Sequence, residues 1–221
     1  MIERILEPEV MDTWEDAVEY DAMDFTEVNT AFAERAIQLT PASGLVLDLG
    51  TGTARIPILV TQRNPKLFIE AVDFSINMLK FGWRNVHKAG LEGSIILKQV
   101  DAKKLKYSGN SFDFVMSNSL VHHLPDPRPF FDEIKRVAKS NAGGLIRDLI
   151  RPKDSAEFSR LVELYTDGST DRQRKLFSDS LHAALTLEEV HVLLRNAGLD
   201  DLKLEQTTDR HWTAERKWKP K

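Results

Sequence analysis

Hydrophobic positions along the chain fall into short apolar runs separated by stretches of helical spacing. The run 45–50 (LVLDLG) ends in glycine, as a strand buried on both faces does where it meets a turn. Runs 67–73 (LFIEAVD), 94–101 (SIILKQVD), 112–118 (FDFVMSN) and 143–149 (GGLIRDL) repeat the pattern. Around them the spacing changes to three and four. Val28, Phe32, Arg35 and Leu39 predict a helix that stops at Thr40-Pro41. Pro57 suits the first turn of the next helix, which Asn64-Pro65 closes. Ser75 caps a helix carrying Ile76, Leu79 and Val86, with Gly90 near its end. Asp126-Pro127 opens another with Phe130, Phe131, Ile134 and Val137 on one stripe.

Five strands alternating with helices predict a doubly wound α/β domain around a parallel sheet. Residues 153–185 read as helical and amphipathic, without a strand. Thr186 and Glu189 form a capping box for a further helix that Gly198 ends. Segments 201–206 (DLKLEQ) and 210–218 (RHWTAERKW) supply two last strands, which brings the sheet to seven. The 221 residues therefore read as one domain. Its parts are a helical cap over 1–40, a core over 41–151, a helical insertion over 152–186, and a closing helix with strands over 187–221. There is no internal repeat.

Composition narrows the function classes. With 42% hydrophobic and 29% charged residues the chain has a normal core. Its formal net charge of −4 disfavours a protein built to grip nucleic-acid phosphates. No cysteine is present, which removes disulfides, thiolate metal sites and cysteine nucleophiles. No metal site is assigned. No apolar run approaches the ~18 residues of a spanning helix, and the opening MIERILEPEV carries acids where a targeting peptide needs bases. A cytoplasmic protein, monomer or homodimer, with neither membrane nor nucleic-acid partner, is expected. Residues 1–30 hold ten acids against Arg4 alone, a charge of −9 that leaves +5 for the rest. An appended cap or a solvated helical face would each explain this.

In a doubly wound sheet the ligand crosses the carboxyl ends of the strands, so the loop after the first strand carries the chemistry. A dinucleotide loop needs a small sixth residue for close helix packing. Counting from Gly50, that position is Arg55. The loop instead resembles the first motif of the class I S-adenosylmethionine-dependent methyltransferases, an acid followed by glycines at alternate positions. Here these are Asp48, Gly50 and Gly52, with Thr51 between and Ala54 in the third glycine's place. The resemblance implies a ligand without phosphates but with a sulfonium and an ammonium, which a strand-end acid attracts. The run Val72 to Leu79 is similar to the family's second motif. Asp73 would accept from the ribose hydroxyls, with Phe74 and Met78 beside it. Asp101-Ala102 falls at the adenine site. Residues 112–124 resemble the fourth strand and its loop, which would bring Ser117 and Asn118 to the ligand. The likeness spans about 40–150 and implies S-adenosylmethionine as cofactor and a small-molecule substrate.

Two departures matter. The Asn/Asp-Pro-Pro-aromatic motif of base-modifying relatives is absent after the fourth strand, where Ser117-Asn118-Ser119-Leu120 stands. The missing thiolates disfavour the arsenite-methylating branch. For the substrate, Tyr20, His122 and Arg147 are candidates. Histidines at 122 and 123 equally suit pinning the loop, and Arg147 with Asp148 and Arg151 equally suits an ion-paired cluster. Tyr20 and Trp14 are candidates for a lid or for staples fixing the leader. His182, in an insertion expected to overhang the site, is the candidate general base. The remaining alternatives are a protein or RNA methyltransferase, a non-catalytic binding module and, remotely, an NAD-dependent dehydrogenase.

Overall fold

The computed structural model describes residues 2–7 and 13–220; Glu9 and Asp12 of the acidic leader lie outside the described residues. Helices α1 (Trp14–Ala22) and α2 (Thr26–Leu39) precede strand β1 (Gly44–Leu49). Then come α3 (Arg55–Arg63), β2 (Leu67–Asp73), α4 (Ile76–Ala89), β3 (Ile95–Gln99) and β4 (Phe112–Asn118). A single 3-10 turn, Val121–His123, leads to α5 (Arg128–Val137) and β5 (Ala138–Leu149). Helices α6 (Ser155–Tyr165), α7 (Asp171–Ala183) and α8 (Leu187–Asn196) are followed by β6 (Lys203–Gln206) and β7 (His211–Arg216).

The strands form one sheet in the order β3-β2-β1-β4-β5-β7-β6. The first five are parallel, whereas β7 runs antiparallel to both β5 and β6. The switch point lies between β1 and β4, so a crevice opens over the carboxyl ends of β1, β2 and β4. Strand alternation divides the core. Val46, Phe114, Met116 and Leu145 pack with Phe32 and Leu79 on one face. Leu47, Leu49, Val115 and Ile146 pack with Phe130, Phe131 and Trp212 on the other. The insertion has its own small core of Leu149, Leu161, Val162, Leu181 and Ala184.

Strand β5 starts five residues before the apolar run that predicts it. Residues 138–142 are less apolar but pair at Ala138 with Phe112, and the register then shifts before Phe114 meets Gly143. A Cβ at Gly143 would stand 2.7 Å from the Phe114 ring, 2.8 Å from the Trp218 nitrogen and 2.9 Å from the Leu39 oxygen. Two of those neighbours are backbone joined to each other, since Trp218 N donates to Leu39 O at 2.8 Å. Gly143→Ala is therefore expected to destabilise the fold by about 1–3 kcal/mol, the usual scale of overpacking. A lowered urea midpoint with an unchanged m-value would show it.

The N-terminal residues 2–7 cross the molecule as a strap. Ile5 N donates to the His182 carbonyl at 3.1 Å. Arg4 donates from Nε to the Ala183 carbonyl at 2.7 Å and from Nη2 to the Leu124 carbonyl at 3.0 Å.

Candidate active site

The turn between β1 and α3 keeps a left-handed backbone at alternate residues: Gly50 has φ +73°, Gly52 +55° and Ala54 +61°. Only Ala54 carries a side chain there, and it is fully buried. The turn's amides are already engaged. Gly50 N and Thr51 N both donate to Val72 O at 2.9 Å, Gly52 N to Asp73 Oδ2 at 2.8 Å, and Ala54 N to Thr51 O at 3.0 Å. A phosphate would need those N–H groups free. The dinucleotide alternative therefore loses its anion cradle as well as its small sixth residue.

What the loop offers instead is negative charge. Asp48 is 3% exposed, and its Oδ2 has no hydrogen-bond partner among the described residues. Burial pushes its carboxyl up to about 7; the Thr51 hydroxyl opposes the rise and the charge of Asp73 adds to it. Asp73 ends β2 and holds two elements together, since its Oδ1 accepts from Ser75 N at 2.9 Å while Oδ2 holds Gly52. Asp101 follows β3, accepts from Lys103 N at 2.8 Å and pairs with Lys103 Nζ at 3.2 Å.

A cavity of about 100 Å³ lies across these strand ends. Among the sequence candidates Tyr20, Gly50, Gly52, Asp73, Phe74, Met78, Asp101 and Ala102 line it. Ser75, Val100, Lys103, Ser119, Leu120, His123 and Leu124 complete the wall. Tyr20 comes from α1, and a Cβ on Gly52 would lie 3.6 Å from its ring. Burial and then the Asp73 charge push its phenol up to about 12, so it stays a neutral cover. Asp48 and Thr51 sit at the turn rather than on this wall.

Other candidates are placed elsewhere. Ser117 donates its hydroxyl to Leu49 O at 2.9 Å, stitching β4 to β1. Asn118 accepts from Arg147 Nε at 2.9 Å. Arg147 also donates to Val28 O at 3.0 Å and lies 5.0 Å from the Phe32 ring centre, so it clamps α2 and faces no wall of the cavity. Burial, then Arg210, pushes its guanidinium down to about 10. His122 is 4% exposed, with Nδ1 2.5 Å from Asp148 Oδ1. That is the pinned histidine, not a substrate contact. His182 is corrected most: its ring lies 4.4 Å from that of Phe158, against the small core of the insertion. Helix α7 presents it to α6 instead of the cavity.

The acidic leader is engaged on both sides. Asp21 accepts from Arg55 Nη2 at 3.1 Å and from Asn85 at 3.1 Å. Arg172 of α7 bridges Asp16 at 2.5 Å and Glu19 at 2.8 Å. Trp14 stacks on Phe81 of α4 with ring centres 4.9 Å apart. Arg55, the residue too large for a dinucleotide loop, thus anchors the helix that carries Tyr20. Ser119 and His123 are the polar wall residues that spacing gave least reason to choose, because a φ of +56° at Ser119 turns the chain there.

Residues 47–146 match a family model described as a methyltransferase domain. The chain is similar to the ubiquinone/menaquinone biosynthesis C-methyltransferase of Desulfotalea psychrophila, 30% identical over 112 residues, which is 51% of this chain and 44% of that protein. It is also similar to the phosphatidylethanolamine N-methyltransferase of Cereibacter sphaeroides, 32% identical over 104 residues, or 47% and 50% of the two chains. The chain thus spans about half the length of these curated relatives. Its fold is similar to the crystal structure of a SAM dependent methyltransferase from Aquifex aeolicus, with TM-score 0.66, 20% identity, and coverage of 92% of this chain and 97% of that one.

Proposed function

From a core over residues 47–146 that belongs to the methyltransferase-domain family, on a sheet with the class I S-adenosylmethionine-dependent methyltransferase fold, we propose that this chain methylates a small-molecule acceptor. The observation that carries the reading is the turn after β1: its four named amides are satisfied internally, and beside it stand the buried Asp48 and the half-buried Asp73 and Asp101. Such a site suits a nucleoside with cationic groups and no phosphate.

The residues present fit S-adenosylmethionine. When bound, it supplies a sulfonium-linked methyl group that an acceptor takes by in-line displacement. Asp48, with one carboxylate oxygen unengaged, offers charge to the ammonium end. Asp73, at the end of β2, would accept from the ribose hydroxyls. Asp101 would accept from the adenine amino group and the Ala102 N–H would meet the ring, with Phe74 and Met78 on the same cavity wall. Tyr20 covers the turn and excludes water, which strengthens every charge interaction beneath it. Ser119, Leu120, His123 and Leu124 remain for the acceptor, a wall of two leucines, one hydroxyl and one imidazole. Alignment and desolvation supply most of the rate. The two curated relatives are named for transfer to carbon and to nitrogen, so the acceptor atom is left open. We place the protein in the cytoplasm, in keeping with its cysteine-free composition; no described helix is long and apolar enough to cross a membrane.

S-adenosylmethionine or its demethylated product S-adenosylhomocysteine is expected to raise the melting temperature, and NAD is not. Formation of S-adenosylhomocysteine across an acceptor panel then tests turnover; binding without turnover on every acceptor marks a binding module instead.

A cavity of about 100 Å³ is smaller than the ~300–1,000 Å³ of ordinary ligand pockets, so α1 with Tyr20 has to swing out to admit a nucleoside. Deleting residues 1–23 is expected to leave the fold intact but lower affinity or kcat. Wild-type kinetics in the shortened protein would refute the lid.

A further inference from the structure

Beneath the strap, a carboxylate and two imidazoles from distant parts of the chain point at one another. Glu7 Oε1 lies 3.4 Å from His122 Nε2 and 3.1 Å from His123 Nδ1. One donor atom from each of the three residues falls within 4.8 Å of the others. The side chains of Glu7 and His122 are only 7% and 4% exposed, and that of His123 is 18%. Donors on a tetrahedral ion with bonds of ~2.0–2.1 Å stand about 3.3 Å apart, so the separations of 3.4 and 3.1 Å already suit one ion.

The surroundings orient the set as a metal site is oriented. His122 Nδ1 donates to Asp148 Oδ1, and Asp148 Oδ2 accepts from Val121 N at 2.5 Å. This directs the ring's other nitrogen, a lone pair in the neutral tautomer, at Glu7. A carboxylate behind a ligating histidine is the usual outer support of a bound metal. The Ser180 hydroxyl lies 3.3 Å from both Glu7 oxygens and fixes the carboxylate plane. Against the two carboxylates stands the Arg4 guanidinium, engaged with the Ala183 and Leu124 carbonyls.

We propose that Glu7, His122 and His123 form a binding site for a divalent transition-metal ion of the zinc type, with Asp148 as its outer support. Two imidazoles and one carboxylate match the three-ligand sets that leave a coordination position open. His123 also lines the cavity at the end assigned to the acceptor, so the ion borders that space. The absence of thiolates does not touch this set, which uses nitrogen and oxygen alone. The proposal does not depend on the methyltransferase reading.

The test is a Co²⁺ titration of the full-length, chelator-stripped protein, followed by Zn²⁺ competition. Expected are saturable uptake of one ion per chain, visible absorption bands of an N/O-ligated site, and their loss on adding Zn²⁺. Glu7→Gln and His123→Ala should each weaken Co²⁺ binding at least 100-fold, and Asp148→Asn by 10–100-fold, the usual effect of losing an outer partner. His191→Ala, on the exposed side of α8, should change nothing. No saturable uptake by the wild type overturns the proposal, a result that needs no variant to fold. So does uptake unchanged in both Glu7→Gln and His123→Ala.

Discussion

Asp48→Asn is expected to stabilise the ligand-free protein at pH 8 and, at the same pH, to weaken its hold on S-adenosylmethionine. The carboxyl sits near 7 in the folded chain, mainly through burial, against about 3.9 for an unfolded aspartate. The folded state therefore binds the proton more tightly. The stability this contributes is complete below about pH 4 and is lost as pH rises through about 7. The loss is on the order of 4 kcal/mol at 1.36 kcal/mol per pH unit. Asparagine never ionises, so the variant should keep most of that stability, less what the Thr51 hydroxyl contributed. A gain of several degrees in Tm at pH 8, shrinking toward pH 5, is expected; ~2–4 °C accompany each kcal/mol in a chain this size. Binding should run the other way. Wild-type affinity for S-adenosylmethionine should climb as pH rises to about 7 and then level, while Asp48→Asn binds weakly at every pH. Calorimetry with parallel pH profiles for both proteins would remove Asp48 from the ligand.

Asp73→Ala should lower affinity for S-adenosylhomocysteine by roughly 10- to 150-fold, or ~1.5–3 kcal/mol, the scale of hydrogen bonds to a charged acceptor. It should also lower Tm. Gly52 N and Ser75 N lose their common acceptor, and the turn is freed from the start of α4. Asp73→Asn separates the two effects, because its carbonyl still accepts one amide whereas its NH₂ cannot accept a ribose hydroxyl. A smaller loss of Tm than in Asp73→Ala, with the full loss of affinity, is expected of it. Unchanged affinity in Asp73→Ala, measured below its melting transition, would sink the ribose assignment.

The contrast between Asp73 and His182 shows where sequence reasoning reaches. Asp48, Asp73 and Asp101 end or follow predicted strands, and strand ends in a parallel sheet lie on one rim whatever the helices do. Glycines at alternate positions and a Ser75 cap are local signals, so that part of the site was legible residue by residue. His182 depended on how α7 is rolled about its axis, which the packing of Phe158 and Leu181 against the insertion's core decides. Arg147 and Asn118 are adjacent in register across β4 and β5 and satisfy each other. Nothing in their spacing announces that. Glu7 met His122 and His123 through a strap held by the carbonyls of residues 182 and 183, a contact no periodicity encodes. The closing strands were readable as strands, but the reversed direction of β7 followed only from its pairing with β5 and β6.

The strap also imposes an order of assembly. Arg4 bonds to a carbonyl 179 positions later in the chain, so an early segment is among the last to find its place. Loop-closure entropy grows only as the logarithm of length, which makes the delay kinetic: α7 must exist before residues 4 and 5 have anything to hold. In the finished protein the same few hydrogen bonds are among the first to exchange with solvent, since segments held by few contacts open at the low end of the stability range. Amide exchange at Ile5 should thus outpace that at the sheet centre by orders of magnitude.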